Sequence, residues 1–253
     1  LTATGSAGMS YTGGDSKATQ GQGWTMGDSI TMSASGDVND IGVTLSFEID
    51  NDDTGGGDVY DSHSIAFDLG DAGSLTFHGH GGSSALGAKD DVMPAAWEEP
   101  WDILPNAETH LIGGAGGDNM FVYSYAHESG FTGTVSYVNA ADAVTDVSST
   151  SYGIEYTGME GLTVGYAQQD VEVTTNTKGD ESTMYATYAI GGFTVGIQMS
   201  ENDMETGTDY ESTGIGISYQ VNDDLTVSYG AHEIEAVSSG NPDQETAALG
   251  VSY

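Results

Sequence analysis

Phe193-Thr194-Val195-Gly196-Ile197-Gln198-Met199-Ser200 decides the fold. Phe, Val, Ile and Met occupy every second position, and Thr, Gly, Gln and Ser fill the gaps. A period of two puts one set on each face of a β-strand. Leu162, Val164 and Tyr166 against Thr163, Gly165 and Ala167 repeat the pattern one hairpin earlier. Working outward, the turn-plus-strand unit recurs as Gly-Phe-Thr-Gly-Thr-Val-Ser-Tyr at 130–137, Gly-Leu-Thr-Val-Gly-Tyr at 161–166, Gly-Phe-Thr-Val-Gly-Ile at 192–197 and Asp-Leu-Thr-Val-Ser-Tyr at 224–229. The spacing of about 31 residues is the pitch of a long hairpin. A solenoid is excluded, because the second face carries Thr, Ser and Gly rather than the bulk a stacked core needs.

Fourteen strands are predicted, at about 1–11, 28–36, 41–50, 60–69, 74–81, 119–127, 131–139, 150–157, 162–171, 181–190, 193–201, 211–221, 225–235 and 244–253. Six tight turns rich in Gly, Asn and Asp alternate with seven connections of roughly ten residues or more. Short turns at one end and long loops at the other are the signature of an antiparallel transmembrane β-barrel forming a single domain over 1–253. The even count puts both termini at the short-turn end, where the last strand is placed to meet the first. Because the first residues already alternate, a mature N-terminus is expected.

Aromatic residues fall at two heights on the apolar face. Phe67, Tyr125, Tyr156, Tyr188, Tyr219 and Tyr253 lie near the short turns, while Phe47, Tyr137, Tyr166 and Tyr229 lie towards the long loops. Two aromatic belts around an apolar band match the headgroup regions of a bilayer. Small residues on the same face (Ala3, Gly5, Ala7, Ala34, Ala247) mark a wall that a neighbouring barrel can approach closely.

Composition sets the polarity of any partner. The chain of 253 residues has 39 Asp plus Glu against three lysines (Lys17, Lys89, Lys178), no arginine, and a formal charge of −36. Nucleic acid is excluded, since phosphate binding rests on clustered Lys and Arg. Cation enrichment within a pore and calcium binding at loop carboxylates both suit such a charge. No cysteine is present. The six histidines include one close pair, His78 and His80, expected on one face of a strand about 7 Å apart, a spacing that suits either a metal or a polar pore lining. No nucleophile motif accompanies the histidines, so an enzyme is not expected.

One connection is out of scale. Residues 82–118 contain three of the four prolines, Trp97 and Trp101, apolar Ile103, Leu104, Leu111 and Ile112, and the acids Asp90, Asp91, Glu98, Glu99, Asp102, Glu108 and Asp118. A loop of this length inside a compact architecture is usually functional. Its apolar residues are expected to pack on the inner wall, with the carboxylates projecting into the remaining aperture.

Taken in order, Leu-Thr-Ala-Thr-Gly-Ser-Ala-Gly-Met-Ser-Tyr at 1–11, Ser-Ala-Leu-Gly at 84–87, Phe121 to Tyr125 and the closing Ala-Ala-Leu-Gly-Val-Ser-Tyr resemble a general diffusion porin of the alphaproteobacterial type along the whole chain. The resemblance implies an integral barrel of the bacterial outer membrane among lipid and lipopolysaccharide, a homotrimer, a third loop folded into the lumen, and calcium among loop carboxylates. It also implies that Asp90, Asp91, Glu98, Glu99, Asp102 and Glu108 form the constriction. Two departures stand out. Such porins commonly have sixteen strands, and they face the acidic loop with arginines that this chain lacks. The inner wall is expected to offer Glu48, Asp68, His78, His80, Glu155 and His232 instead. The reading is a water-filled, cation-preferring channel for ions and small hydrophilic solutes. A channel specific for one small nutrient and a secreted acidic calcium-binding β-protein are the alternatives.

Overall fold

The computed structural model describes residues 1–13, 23–50, 60–96, 99–100, 117–139, 148–172, 178–204, 209–237 and 243–253. These form one antiparallel sheet of fourteen strands in strict chain order. The strands are β1 (Thr2–Thr12), β2 (Gly23–Val38), β3 (Ile41–Asp50), β4 (Tyr60–Asp68), β5 (Ser74–His80), β6 (Met120–Ala126), β7 (Phe131–Val138), β8 (Ser148–Met159), β9 (Leu162–Glu172), β10 (Lys178–Ile190), β11 (Phe193–Met204), β12 (Tyr210–Gln220), β13 (Thr226–Ala236) and β14 (Gln244–Ser252). Among the described residues the count expected from the sequence is the count observed. Every tight turn predicted between strands is found. The largest difference is β2, which starts five residues before the predicted 28, at Gly23.

Local chemistry explains the turns. Asn39 and Asp40 both adopt positive φ (52° and 64°), as do Gly191 and Gly192 (56° and 86°). A two-residue hairpin whose twist matches right-twisted strands demands this geometry, and Asn, Asp and Gly adopt it at least cost.

The burial pattern is that of a soluble protein turned inside out. On β11, Val195 and Ile197 are 43% and 45% exposed, whereas Gln198 and Ser200, on the opposite face, are 5% and 7% exposed. The same inversion holds on β9, where Val164 and Tyr166 face out and Gly165, Ala167 and Gln169 are buried. Register carries each face across the sheet. Ile197 pairs with Ala186 and Ile215, and Gln198 with Tyr185 and Gly214. Apolar side chains left outside need a hydrocarbon solvent, and the ladders between consecutive strands supply the backbone hydrogen bonds that such a solvent cannot. No helix among the described residues is long and apolar enough to cross a membrane, so strands do the crossing.

Aromatic rings pair across strands on the outer face at the short-turn end, Phe131 with Tyr156 at 4.7 Å and Phe193 with Tyr219 at 4.2 Å between centroids. One expectation is not met among the described residues. β1 and β14 are the two edges of the sheet, and no ladder joins them.

Ile197→Arg, on the outer face, is expected to destabilise the barrel by about 2–4 kcal/mol. Ser33→Arg, on the inner face of β2, is expected to leave stability nearly unchanged. Urea unfolding from lipid vesicles, followed by tryptophan fluorescence, distinguishes the two.

Candidate functional site: the loop across the inner wall

The described parts of the long loop lie against the polar face of the sheet, and a single chain of contacts follows them from β7 to β13. Gly82 and Gly117 close the base of the loop as an isolated antiparallel bridge, with N–H to O distances of 3.1 and 2.6 Å. Just beyond it, Ser84 Oγ donates to Gln169 Oε1 on β9 at 2.9 Å and accepts the Gly87 N–H at 2.9 Å. The Ala85 N–H donates to Ser136 Oγ on β7 at 3.0 Å, and the Leu86 N–H to Ser151 Oγ on β8 at 2.7 Å. Leu86 is fully buried against Ala167. The hydroxyl face of the wall therefore satisfies loop amides that would otherwise be buried without partners.

Further along, the loop rests on glycines. A Cβ on Gly216 would lie 2.9 Å from the Pro94 carbonyl oxygen, and one on Gly196 would lie 2.6 Å from Pro94 Cδ. At Gly230 the collision would be with Pro100 Cγ, at 2.7 Å. These glycines sit on the inner faces of β12, β11 and β13, and their missing side chains form the seat. The Ala96 N–H adds a bond to Ser228 Oγ at 2.8 Å.

Between these two anchorages comes the charged elbow, Lys89-Asp90-Asp91. Lys89 Nζ lies 2.8 Å from Glu155 Oε2 and 5.8 Å from the centroid of the Tyr185 ring, within cation–π range. Tyr185 donates its hydroxyl to the same Glu155 oxygen. Gln198 Nε2 donates to the Lys89 carbonyl at 2.7 Å. Asp90 follows, its Oδ1 accepting the Asp91 N–H at 3.1 Å. Burial raises the Asp90 carboxyl to about 6, and the Asp91 charge adds to the rise. Asp91 is exposed.

The sequence-predicted residues therefore separate into groups. Asp90 and Asp91 are on the described part of the loop, half-buried and exposed respectively. Glu99 is on the loop too but is buried, 7% exposed, beside the seated Pro100, so it does not project into an aperture. Glu98, Asp102 and Glu108 lie outside the described residues. Glu48 is on the inner face of β3, taking a 3.5 Å bond from Ser62 Oγ. Asp68 ends β4 and caps the following turn by accepting the Gly70 N–H at 2.9 Å. Glu155 is on the inner face but is engaged by Lys89. His232 is 6% exposed, packed beside Gly214 near Met93 of the loop, and so lies under the loop rather than along open lumen.

His78 and His80 do not share a face. A register shift places His78 opposite Ser64 but His80 opposite His63, adjacent residues whose side chains leave the sheet on opposite sides. The bulge breaks the alternation on which the paired reading relied. His80 instead contacts Asp118 at 2.5 Å, at the root of the loop. Among the described residues no group of three or more His, Asp or Glu is arranged to hold a metal ion. Missed from the sequence were the hydroxyl anchors Ser136, Ser151 and Ser228, the glycine seat, and Tyr185. Only the prolines of the loop hinted at the seat, since each lacks an N–H to be satisfied.

An inward-folded loop on the polar face of a membrane-spanning β-sheet defines a pore protein. The family model described as Gram-negative porin matches residues 1–253, and the chain belongs to that family, which makes it an integral protein of the outer membrane. Solved structures agree in fold. The chain is similar to a loop-deletion mutant of OmpT, an outer membrane protein of Vibrio cholerae (17% identity, 98% of this chain and 85% of that one, TM-score 0.71). It is also similar to the anion-selective porin from Comamonas acidovorans (16% identity, 90% and 76%, TM-score 0.68) and to Salmonella typhi OmpF in complex with daunomycin (12%, 99% and 84%, TM-score 0.68). A search of curated proteins returned no match.

Gly216→Val is expected to push Pro94 off the wall and lower single-channel conductance. Gly8→Val, also on the polar face but with nothing within 4 Å, should leave conductance unchanged.

Proposed function

We propose that the chain forms a water-filled, cation-preferring channel through which ions and small hydrophilic solutes diffuse passively. The observation that supports this reading is the excess of carboxylates over cations on the described loop and inner wall. Asp90 and Asp91 stand on the loop and Glu48 on the wall, while the chain has no arginine and Lys89 is already engaged by Glu155. Fixed carboxylates raise the local concentration of cations and repel anions where the passage is narrower than the Debye length.

The fold by itself is compatible with either sign, since one structural neighbour is an anion-selective porin. Selectivity must therefore come from the side chains of this chain. The reading includes a homotrimer, supported by Ala3, Gly5 and Ala7 in a row on the outer face of β1, where small residues permit close approach of a second barrel. It also includes calcium among the loop carboxylates. Asp90, Asp91 and Asp118 are the described acids of the loop with exposed or half-buried side chains.

The test is the reversal potential of detergent-purified protein in a planar bilayer under a KCl gradient. Stable conductance steps with a cation-selective reversal potential are expected; an anion-selective value would overturn the reading. The preference should also depend on pH. Asp90 titrates at about 6, so lowering the pH through that value removes one lumenal charge and weakens cation selectivity. For stability the sign is opposite. A carboxyl whose folded pKa is raised takes up its proton sooner in the folded chain, so the cost of its buried charge is relieved as pH falls through about 6. Asp90→Asn should remove the selectivity step and behave at neutral pH as the parent does in acid.

A further inference from the structure

We infer that Glu155 and Tyr185 are positioning residues that lock Lys89, and that this lock determines both where the constriction loop stands and the sign of the aperture. The inference rests on the channel reading above and goes beyond it by assigning the selectivity to a particular set of side chains.

The geometry begins in the wall. Glu155 of β8 pairs with Gly165 of β9, Gly165 with Tyr185 of β10, and Tyr185 with Gln198 of β11, so four residues from four strands form one row on the inner face. Glu155 and Tyr185 are thus two strands apart, too far for neighbouring side chains of ordinary size to meet. Gly165 between them removes the obstacle, because a Cβ there would collide with the Tyr185 ring. The ring lies across the glycine, 3% exposed, and its hydroxyl reaches the Glu155 carboxylate.

Lys89 closes the row. Its ammonium joins the Glu155 oxygen that Tyr185 already engages, over the Tyr185 ring, and its carbonyl accepts from Gln198 at the other end of the row. Side chain and backbone of one loop residue are therefore held at two points of one register line. The consequence for charge is direct. Of the three lysines in the chain, Lys89 alone is on the constriction loop, and the lock pairs it with a carboxylate. Asp90 and Asp91, the next two residues, are then left to set the field of the passage.

Single and double substitutions read the lock through permeability. Glu155→Gln releases the ammonium while keeping an acceptor for Tyr185, and should lower the ratio of potassium to chloride permeability by about two-fold or more. Lys89→Met frees the Glu155 carboxylate and should raise the ratio. The double variant should return it close to the parent value. Tyr185→Phe removes only the hydroxyl and should increase open-channel noise with little change in selectivity. Heat-modifiable migration in gels confirms that each variant is folded.

Shifts of the two single variants in the same direction, no shift in either, or a double variant no nearer the parent would overturn the inference. Silent Tyr185→Phe noise would overturn the part assigned to Tyr185. These outcomes are separate from the channel reading, because an anion-selective parent would sink that reading while leaving the opposed shifts to be measured.

A measurement on the unsubstituted protein guards against variants that do not fold. Acetylation followed by mass spectrometry should modify Lys89 far more slowly in the folded barrel than in urea. Equal rates would overturn the lock.

Discussion

Hydrocarbon offers no hydrogen bonds, and the rest of the structure follows from that constraint. Every backbone amide that crosses the bilayer must find its partner within the chain, and antiparallel ladders between consecutive strands meet the requirement with the shortest connections. Once the ladders exist, lipid selects apolar side chains for the outer face. Val195 and Ile197 are exposed for this reason, not by default. The inner face is then free of the demand for oil. In most proteins a buried surface is where hydrophobic packing stabilises the fold; here the buried surface is mostly hydroxyls, amides and glycines, with a few apolar side chains such as Leu86, Met120 and Ile234 among them.

That inversion is what lets the loop settle. A polypeptide laid on an apolar wall would strand its own amides, whereas Ser136, Ser151 and Ser228 accept them one by one. Glycines at 196, 216 and 230 provide depth, and prolines at 94 and 100 fit there without an N–H to satisfy. The placement of the acidic elbow is thus a property of the wall as much as of the loop. Lys89 joins the two, since the residue held at the wall by Glu155 and Gln198 immediately precedes the two carboxylates of the elbow.

Charge acts on this scaffold in a way the fold does not dictate. A barrel of the same architecture is known in an anion-selective porin, so the sign of the field has to be read from side chains. With three lysines and no arginine in 253 residues, neutralising one lysine is a large fraction of the available positive charge. On the channel reading proposed above, the Lys89–Glu155 ion pair removes one of those three positive charges from the balance.

The strands, their number and their faces were legible along the chain, because period two, Gly-rich turns and hairpin pitch are local properties; β11 reads as a lipid-facing strand from eight residues alone. Asp90 and Asp91 were legible as acids of an oversized loop. The sequence could not say that Glu99 would be buried, that His232 would lie under the loop, or that a bulge would turn His80 away from His78. Each of these depends on which residues register or packing brings together from distant segments. The row Glu155, Gly165, Tyr185 and Gln198 is of the same kind. Its members are spread over 44 positions of sequence from Glu155 to Gln198, and only strand register, which fixes side chains across the sheet rather than along the chain, makes them one device.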